Sequence, residues 1–311
     1  MDIDTLLRGH PDWFGHLESG GPAKIAFPDD LADELVRLAV PHEDIGAVLA
    51  TLPEPGGPLW WLAERCVGSL VTAMGSLDPP PAFPDLPELG PYFFVHVFVA
   101  ALPYTRRYHR EHGVPDAVSR ATLADLGRNM AVHRKRHGTA GLQYPRWFMR
   151  HARGILYELG RLQFERVRMG TRTGEGVAAA GLPAGPGDPA LGVHIPDFKG
   201  PLTPAACDAS FERAREFFPR CFPEERFLVA TCHSWLLDDQ LAGYLPASSN
   251  IVAFQRRFHL LHRCDTSAVL DFVFGSEAPA EWPRRTRLER AIADHLAAGG
   301  GWYGRAGWLR L

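Results

Sequence analysis

Two changes of pattern along the 311 residues predict an α+β chain whose first half is all-α. Up to about residue 153, apolar residues recur at helical spacing. From Leu156 to Met169 they alternate with polar ones, as along a strand, and beyond that short apolar runs alternate with helix-type segments. Strands mixed with helices, after a possible hairpin, define the α+β class. The change of period sets a boundary between a helical domain, 1–153, and a mixed domain, 154–311.

Taken in order, Asp29-Asp30 open the helical segment DDLADELVRLAV, which Pro41 ends. His42–Leu52 follows as a short helix, and Leu59–Gly75 carries apolar residues at helical spacing. Asp78–Pro91 contains Pro79, Pro80, Pro81, Pro84, Pro87 and Pro91, which predicts irregular or polyproline II chain. The longest apolar run, PYFFVHVFVAALP (Pro91–Pro103), falls short of the about 20 residues needed to cross a bilayer and reads as a buried helix within Pro91–His112. Asp116–His137 and Arg146–Arg153 complete the helical set.

In the second half, Leu156–Met169 predicts one long strand, with a slip in alternation at Glu165-Arg166. Gly170–Ala190 holds six glycines and three prolines and predicts a flexible connection, whose two flanking strands can form a hairpin. The remainder predicts strand 191–197, helix 204–218, strand 226–233, a short helix near 238–245, helix 249–258, strand 260–273, helix 285–298 and strand 302–310.

Composition narrows the class. The chain is 46% hydrophobic and 22% charged, as a globular protein is, and its net charge of −3 gives no basic excess for nucleic acid. Cys66, Cys207, Cys221, Cys232 and Cys264 are odd in number, widely spaced and without a CxxC pair, so they form neither a disulfide framework nor a zinc motif. The first residues, MDIDTLLRGHPDWFGHL, lack the basic and apolar regions of a signal peptide. A cytoplasmic chain with reduced thiols is expected.

The most informative stretch is LGVHIPDFKGPLTPAACDASFERAREFF, Leu191–Phe218. It reads as a strand, a turn-rich loop punctuated by Lys199 and Gly200, and a helix. Thr203 stands at the N-cap and Pro204 at the first helical position, while Cys207, Phe211, Ala214 and Phe218 share one face. Two readings stand: an ordinary strand–loop–helix connection, or a helix start whose free N–H groups and dipole hold phosphate.

Other candidates divide more clearly. His133 and His137 share the i, i+4 spacing of a metal helix, but the intervening Arg134, Lys135 and Arg136 repel a cation, so a solvated face is the reading. Arg106, Arg107, His109 and Arg110 form a basic cluster, read as solvated, with docking of an acidic carrier or of CoA phosphates as the alternative. Arg256 and Arg257 are read the same way. Asp238, Asp239 and Asn250 look like helix caps. Cys232 makes a poor nucleophile, because neighbouring strand residues face opposite ways and His233 does not reach it. No GxSxG elbow is present.

YELGRLQFE (157–165), HIP (194–196), GPLTPAACD (200–208), CHSWLLD (232–238), LPASSNI (245–251), FQRRF (254–258) and a Gly/Trp-rich tail resemble the bacterial N-acyltransferase family. DLGRNM (125–130) and GLQYPRWFMRHARG (141–154) are similar to the end of that family's helical domain. The resemblance implies a helical N-terminal domain followed by a GNAT-like mixed-sheet domain. It implies transfer of an acyl group from acyl-CoA to a small-molecule or peptide amine, by direct attack in a ternary complex. In such folds two parallel strands splay into a groove for pantetheine, and the CoA pyrophosphate sits on the following helix start.

Here those strands are 191–197 and 226–233, and the donor cradle consists of Pro196, Phe198, Lys199, Gly200, Leu202, Thr203, Ala205 and Ala206. The family loop [RQ]xxGx[GA] is replaced by DFKGPLTPAA, where only Gly200 and the small Ala205 and Ala206 suit close backbone approach, and Lys199 can add a charge. His194 and His233, on the two groove strands, are the candidate bases, with packed structural histidines as the alternative. Backbone N–H groups near Asp197-Phe198 suit an oxyanion, and Ser234 and Tyr244 are the candidates to act on the sulfur. No acidic base stands out. Aromatic residues of the helical half, such as Trp60, Trp61, Phe93 and Phe94, are read mostly as core, with a few lining an acceptor or acyl-chain pocket where the domains meet. Two other functions remain open: a non-catalytic GNAT-like binding module, and an acyltransferase fed by an acyl carrier protein.

Overall fold

The computed structural model describes residues 3–78, 80–84, 86–142, 144–265, 268–275 and 282–311. The chain divides into two compact units, Met1–Tyr157 and Glu158–Leu311.

The first unit is helical: α1 (Ile3–Arg8), α2 (Pro11–Gly20), α3 (Leu31–Arg37), α4 (His42–Ala50), α5 (Pro58–Thr72), α6 (Phe93–Glu111), α7 (Asp116–Leu123), α8 (Asp125–His137) and α9 (Pro145–Ala152). Leu62, Cys66, Val67 and Leu70 of α5 and Val97, Phe98 and Ala101 of α6 are fully or almost fully buried, and Phe148 of α9 meets Phe98 edge-on at 4.9 Å. The apolar run from Pro91 is thus a core helix, continuing through Pro103. The expected helix over 116–137 is two helices, broken at Ala124. Backbones approach closely behind α8, where a Cβ on Gly127 would lie 2.0 Å from the Ala39 carbonyl carbon. Pro79 of the proline-rich stretch and Gln143 lie outside the described residues. Among the described residues no helix is long and apolar enough to cross a membrane.

The second unit, whose boundary falls inside β1, contains β1 (Leu156–Glu158), β2 (Gln163–Arg168), α10 (Thr171–Ala179), β3 (Pro189–His194), α11 (Pro204–Cys221), β4 (Val229–Ser234), α12 (Asn250–Gln255), β5 (His259–Asp265), α13 (Ala268–Phe274), α14 (Arg287–Ala297) and β6 (Tyr303–Arg310). The six strands form one sheet in the order β1-β2-β3-β4-β6-β5. β3 and β4 run parallel, while β2–β3, β4–β6 and β5–β6 are antiparallel.

Three expectations change here. The strand expected over Leu156–Met169 is two strands. Gly160 turns the chain between them at φ 97°, which an L side chain rarely adopts, and Leu159 N–H bonds the Leu162 carbonyl at 3.0 Å. The strand expected over 260–273 ends at Asp265 and α13 follows, with Thr266 and Ser267 outside the described residues. The connection expected to be flexible contains α10. Its glycines serve packing: a Cβ on Gly174 would lie 2.3 Å from Pro186 N, and one on Gly176 2.7 Å from a Leu261 methyl. Val177 is fully buried with Ala190, Val229 and Trp308. The flanking strands do pair as a hairpin, from Gln163↔His194 to Arg168↔Pro189.

Candidate active site

α11 begins as the sequence requires. Thr203 is extended at φ −68°, ψ 150°, and its hydroxyl accepts the Ala206 N–H at 3.3 Å, a cap worth about 1 kcal/mol. Pro204 has no N–H to lose. Leu202, Cys207, Phe211 and Phe218 anchor the helix, and Phe211 meets Phe164 of β2 edge-on at 5.5 Å. Gly200 turns at φ 73° with open space around it, while Ala205 is exposed on the first turn. Lys199 does not offer a free charge, because its ammonium pairs with the buried Glu158 carboxylate.

Two arginines flank the loop and the start of α11. Arg161, in the β1–β2 turn, donates from Nη1 to the Pro196 carbonyl at 2.8 Å, and burial pushes its pKa down. Arg257, after α12, donates from Nη2 to the Pro204 carbonyl at 3.1 Å and pairs with Asp208. Both act electrostatically on Cys207 in the first turns of α11, and the buried Nε of each has no hydrogen-bond partner. Arg257 is therefore part of the helix start and not a freely solvated charge.

β3 and β4 share register only at Leu191↔Ala230 and Gly192↔Thr231, while the strands continue to His194 and Ser234. The parallel ladder thus stops short of both histidines, as a splayed pair does. Register places Glu165, His194 and, across β4, Thr231 and His233 on one face of the sheet. On that face Glu165 of β2 meets His194 Nε2 at 2.8 Å, with 12% and 29% of the two side chains exposed. A carboxylate only accepts, so Nε2 is the donor in this contact.

His233 lies beside Thr173 of α10, with Nε2 to Oγ1 at 3.3 Å, and 6.3 Å from the ring of His262. Packing, then the charges of His262 and His194, push the His233 pKa below the ordinary histidine value. Its ring still has an exposed edge.

The other expected site residues lie apart from this group. Ser234 faces opposite to His233 and caps the turn that follows, accepting the Leu236 N–H at 3.1 Å. Tyr244 bonds His295 Nδ1 at 2.9 Å and packs on Trp302. Cys232 is buried and its thiol is pushed up to about 12 by burial, which removes it as a thiolate nucleophile. Asp238 does cap, accepting the Gln240 N–H at 3.1 Å, and also receives the Tyr303 N–H. Asp239 instead receives Arg263 and Arg305. Ser249 caps α12, with Asn250 its first residue. The rings of His133 and His137 lie 4.6 Å apart, tilted by 41°, and no metal-holding cluster occurs among the described residues. The sequence reading missed Glu165, Thr173 and Arg161. For Glu165 the signal was present, since the hairpin register that pairs β2 with β3 brings it to His194.

A sheet whose parallel strands part at a capped helix start, with histidines on one side of the gap, is the frame of a GNAT-like acyltransferase. Residues 156–309 match the GNAT-like C-terminal domain model and residues 29–154 the N-acyltransferase N-terminal domain model. Solved acyltransferase structures match over 100% of both chains at 37% identity: one in complex with decanoyl-CoA (TM-score 0.87), one with decanoyl-CoA and teicoplanin (0.85), and a variant with octanoyl-CoA (0.86). No curated protein sequence matches the chain. The chain belongs to the N-acyltransferase family with a GNAT-like C-terminal domain.

Proposed function

We propose that this enzyme moves a medium-chain acyl group from acyl-CoA to an amine by direct attack in a ternary complex. The observation that carries this reading is the Glu165–His194 pair at the end of the parallel ladder. The donor residues fit a CoA thioester: the α11 start and the orphaned Nε groups of Arg161 and Arg257 suit the pyrophosphate, and Gly200 and Ala205 leave room for it. The similar structures hold octanoyl- and decanoyl-CoA, which favours CoA over a carrier protein as donor. Teicoplanin in one of them points to an acceptor amine on a molecule of that type.

In this mechanism the amine nitrogen attacks the thioester carbonyl carbon as His194 Nδ1 removes its proton, and Glu165 steadies the imidazolium. The C–N bond forms and the carbonyl electrons move to oxygen, which the backbone N–H groups near Asp197-Phe198 receive. As the oxyanion collapses, the C–S bond breaks. The departing thiolate takes the proton that His194 Nδ1 received, so the proton lost by the amine ends on sulfur and His194 returns to its starting form. With the Thr173 hydroxyl, 3.3 Å from His233 Nε2, as the donor, His233 keeps its N–H on Nδ1 and hydrogen-bonds the departing sulfur. Thr173 is a positioning residue.

The test is titration of the protein with acyl-CoAs of rising chain length, followed by transfer to amines including teicoplanin-type acceptors. Binding that tightens up to about ten carbons, with an amide product and free CoA thiol, supports the reading. Binding without any product would favour a non-catalytic module.

A further inference from the structure

The helical unit holds a cleft that the chemistry above does not use. Its volume is ≈ 270 Å³, and its lining includes Arg37 of α3, Arg106 and Arg110 of α6 and Arg120 of α7. The sequence cluster around Arg106 is therefore divided. Arg106, His109 and Arg110 face the cleft, while Arg107 turns away to Glu111 (3.9 Å) and the Tyr104 ring (5.6 Å).

Buried Glu34 holds two of the guanidiniums in place, pairing with Arg106 and, at 3.2 Å, with Arg37. Arg110 and Arg120 are exposed and make no ion pair among the described residues. His109 and Ser119, both buried in the lining, are joined Nδ1 to Oγ at 2.8 Å. Burial, then His112 and Arg106, push the His109 pKa down to about 4, so it is neutral at pH 7. Four arginines against Glu34 and Asp116 leave the lining with two positive charges. Gathering like charges around a small concavity raises the free energy of the empty protein, and a matching anion relieves it.

We propose that this cleft is a binding site for a small phosphate-bearing anion, separate from the acyl donor site. Guanidinium forks from three helices surround a tetrahedral group better than a planar one, and a carboxylate engages fewer of them. The small, concave shape suits a small molecule and not the broad acidic face of a carrier protein.

The test is isothermal titration of inorganic pyrophosphate into the full chain, without CoA and with saturating CoA. With CoA filling the donor site one-to-one binding is expected, and without CoA the same event of similar affinity, beside at most one further event at the start of α11. Arg110→Ala/Arg120→Ala should bind pyrophosphate at least tenfold more weakly, with an unchanged melting temperature and unchanged acyl transfer. Succinate, a dianion with planar groups, should bind at least tenfold more weakly than pyrophosphate. Arg120→Gln alone, expected to weaken binding several-fold, serves if the double variant does not fold. Binding abolished by CoA would place the phosphate at the donor site and overturn a second site. Unaltered affinity in the arginine variants, equal affinity for succinate, or no binding in either arm would also overturn the proposal. The arm without CoA reads the cleft even if the acyl-CoA reading fails.

Discussion

His96, His109 and His151 of the helical unit and His194 and His233 of the sheet sit in two different settings. His96 is buried with its Nε2 on the Val48 carbonyl at 2.9 Å, and His151 is buried against Asp125 and stacked on Phe148 at 4.8 Å. His109 is closed in beside Ser119. Each sits where helices close over it, and burial disfavours the charged ring of His96 and His109. His194 and His233 lie instead at the ends of strands whose mutual ladder has stopped, each oriented from one side and partly open on another. A histidine inside a closed packing surface is held by the fold on every side, whereas one at the end of a splayed strand pair keeps part of its surface open, as the proposed chemistry requires.

The sharpest way to break that comparison is His194→Ala. It should lower kcat about 10²–10⁴-fold with acyl-CoA binding unchanged, read by steady-state kinetics beside titration. His109 should respond in the opposite sense, through stability alone. Its pKa falls from 6.5 to about 4 on folding, so the unfolded chain binds the proton more readily between those values. Stability is therefore fully present above pH 6.5 and is lost as pH falls towards 4, by about 3 kcal/mol at most. Thermal melts at pH 7 and pH 4.5 should show the loss, and His109→Gln should reduce it.

Glu165→Gln keeps size and hydrogen bonding but removes the charge that steadies the imidazolium. A fall in kcat of roughly tenfold to a hundredfold is expected, with acyl-CoA affinity unchanged, read by steady-state kinetics. Gly174→Ala tests whether α10 is packed or loose. A loose connection would gain about 0.4–1 kcal/mol from the alanine, whereas a Cβ 2.3 Å from Pro186 N should cost about 1–3 kcal/mol by denaturant melts. Smallest is Thr173→Val, which should lower kcat a few-fold with KM unchanged and shift the pH profile, while Thr173→Ser should restore both.

Much of this was legible in local chemistry. The Thr203-Pro204 start, the buried run after Pro91 and the pairing of the strands around 170–190 follow from caps, hydrophobicity and period. What was not legible depends on long-range contact. The glycines of α10 read as freedom because sequence alone does not show Pro186 and Leu261 pressing on them. Glu165 showed only as a slip in the alternation, because its partner lies 29 positions away. Lys199 looked available until the fold brought Glu158 to it, and Arg257 looked solvated until α12 set it against the start of α11.

The most direct test of the account is transfer of a decanoyl group from decanoyl-CoA to an amine by the wild-type protein and His194→Ala, with donor affinity measured in parallel. The account predicts equal affinity within about twofold and at least a hundredfold loss of turnover in the variant. Turnover within a few-fold of wild type would contradict it and remove His194 from the chemistry.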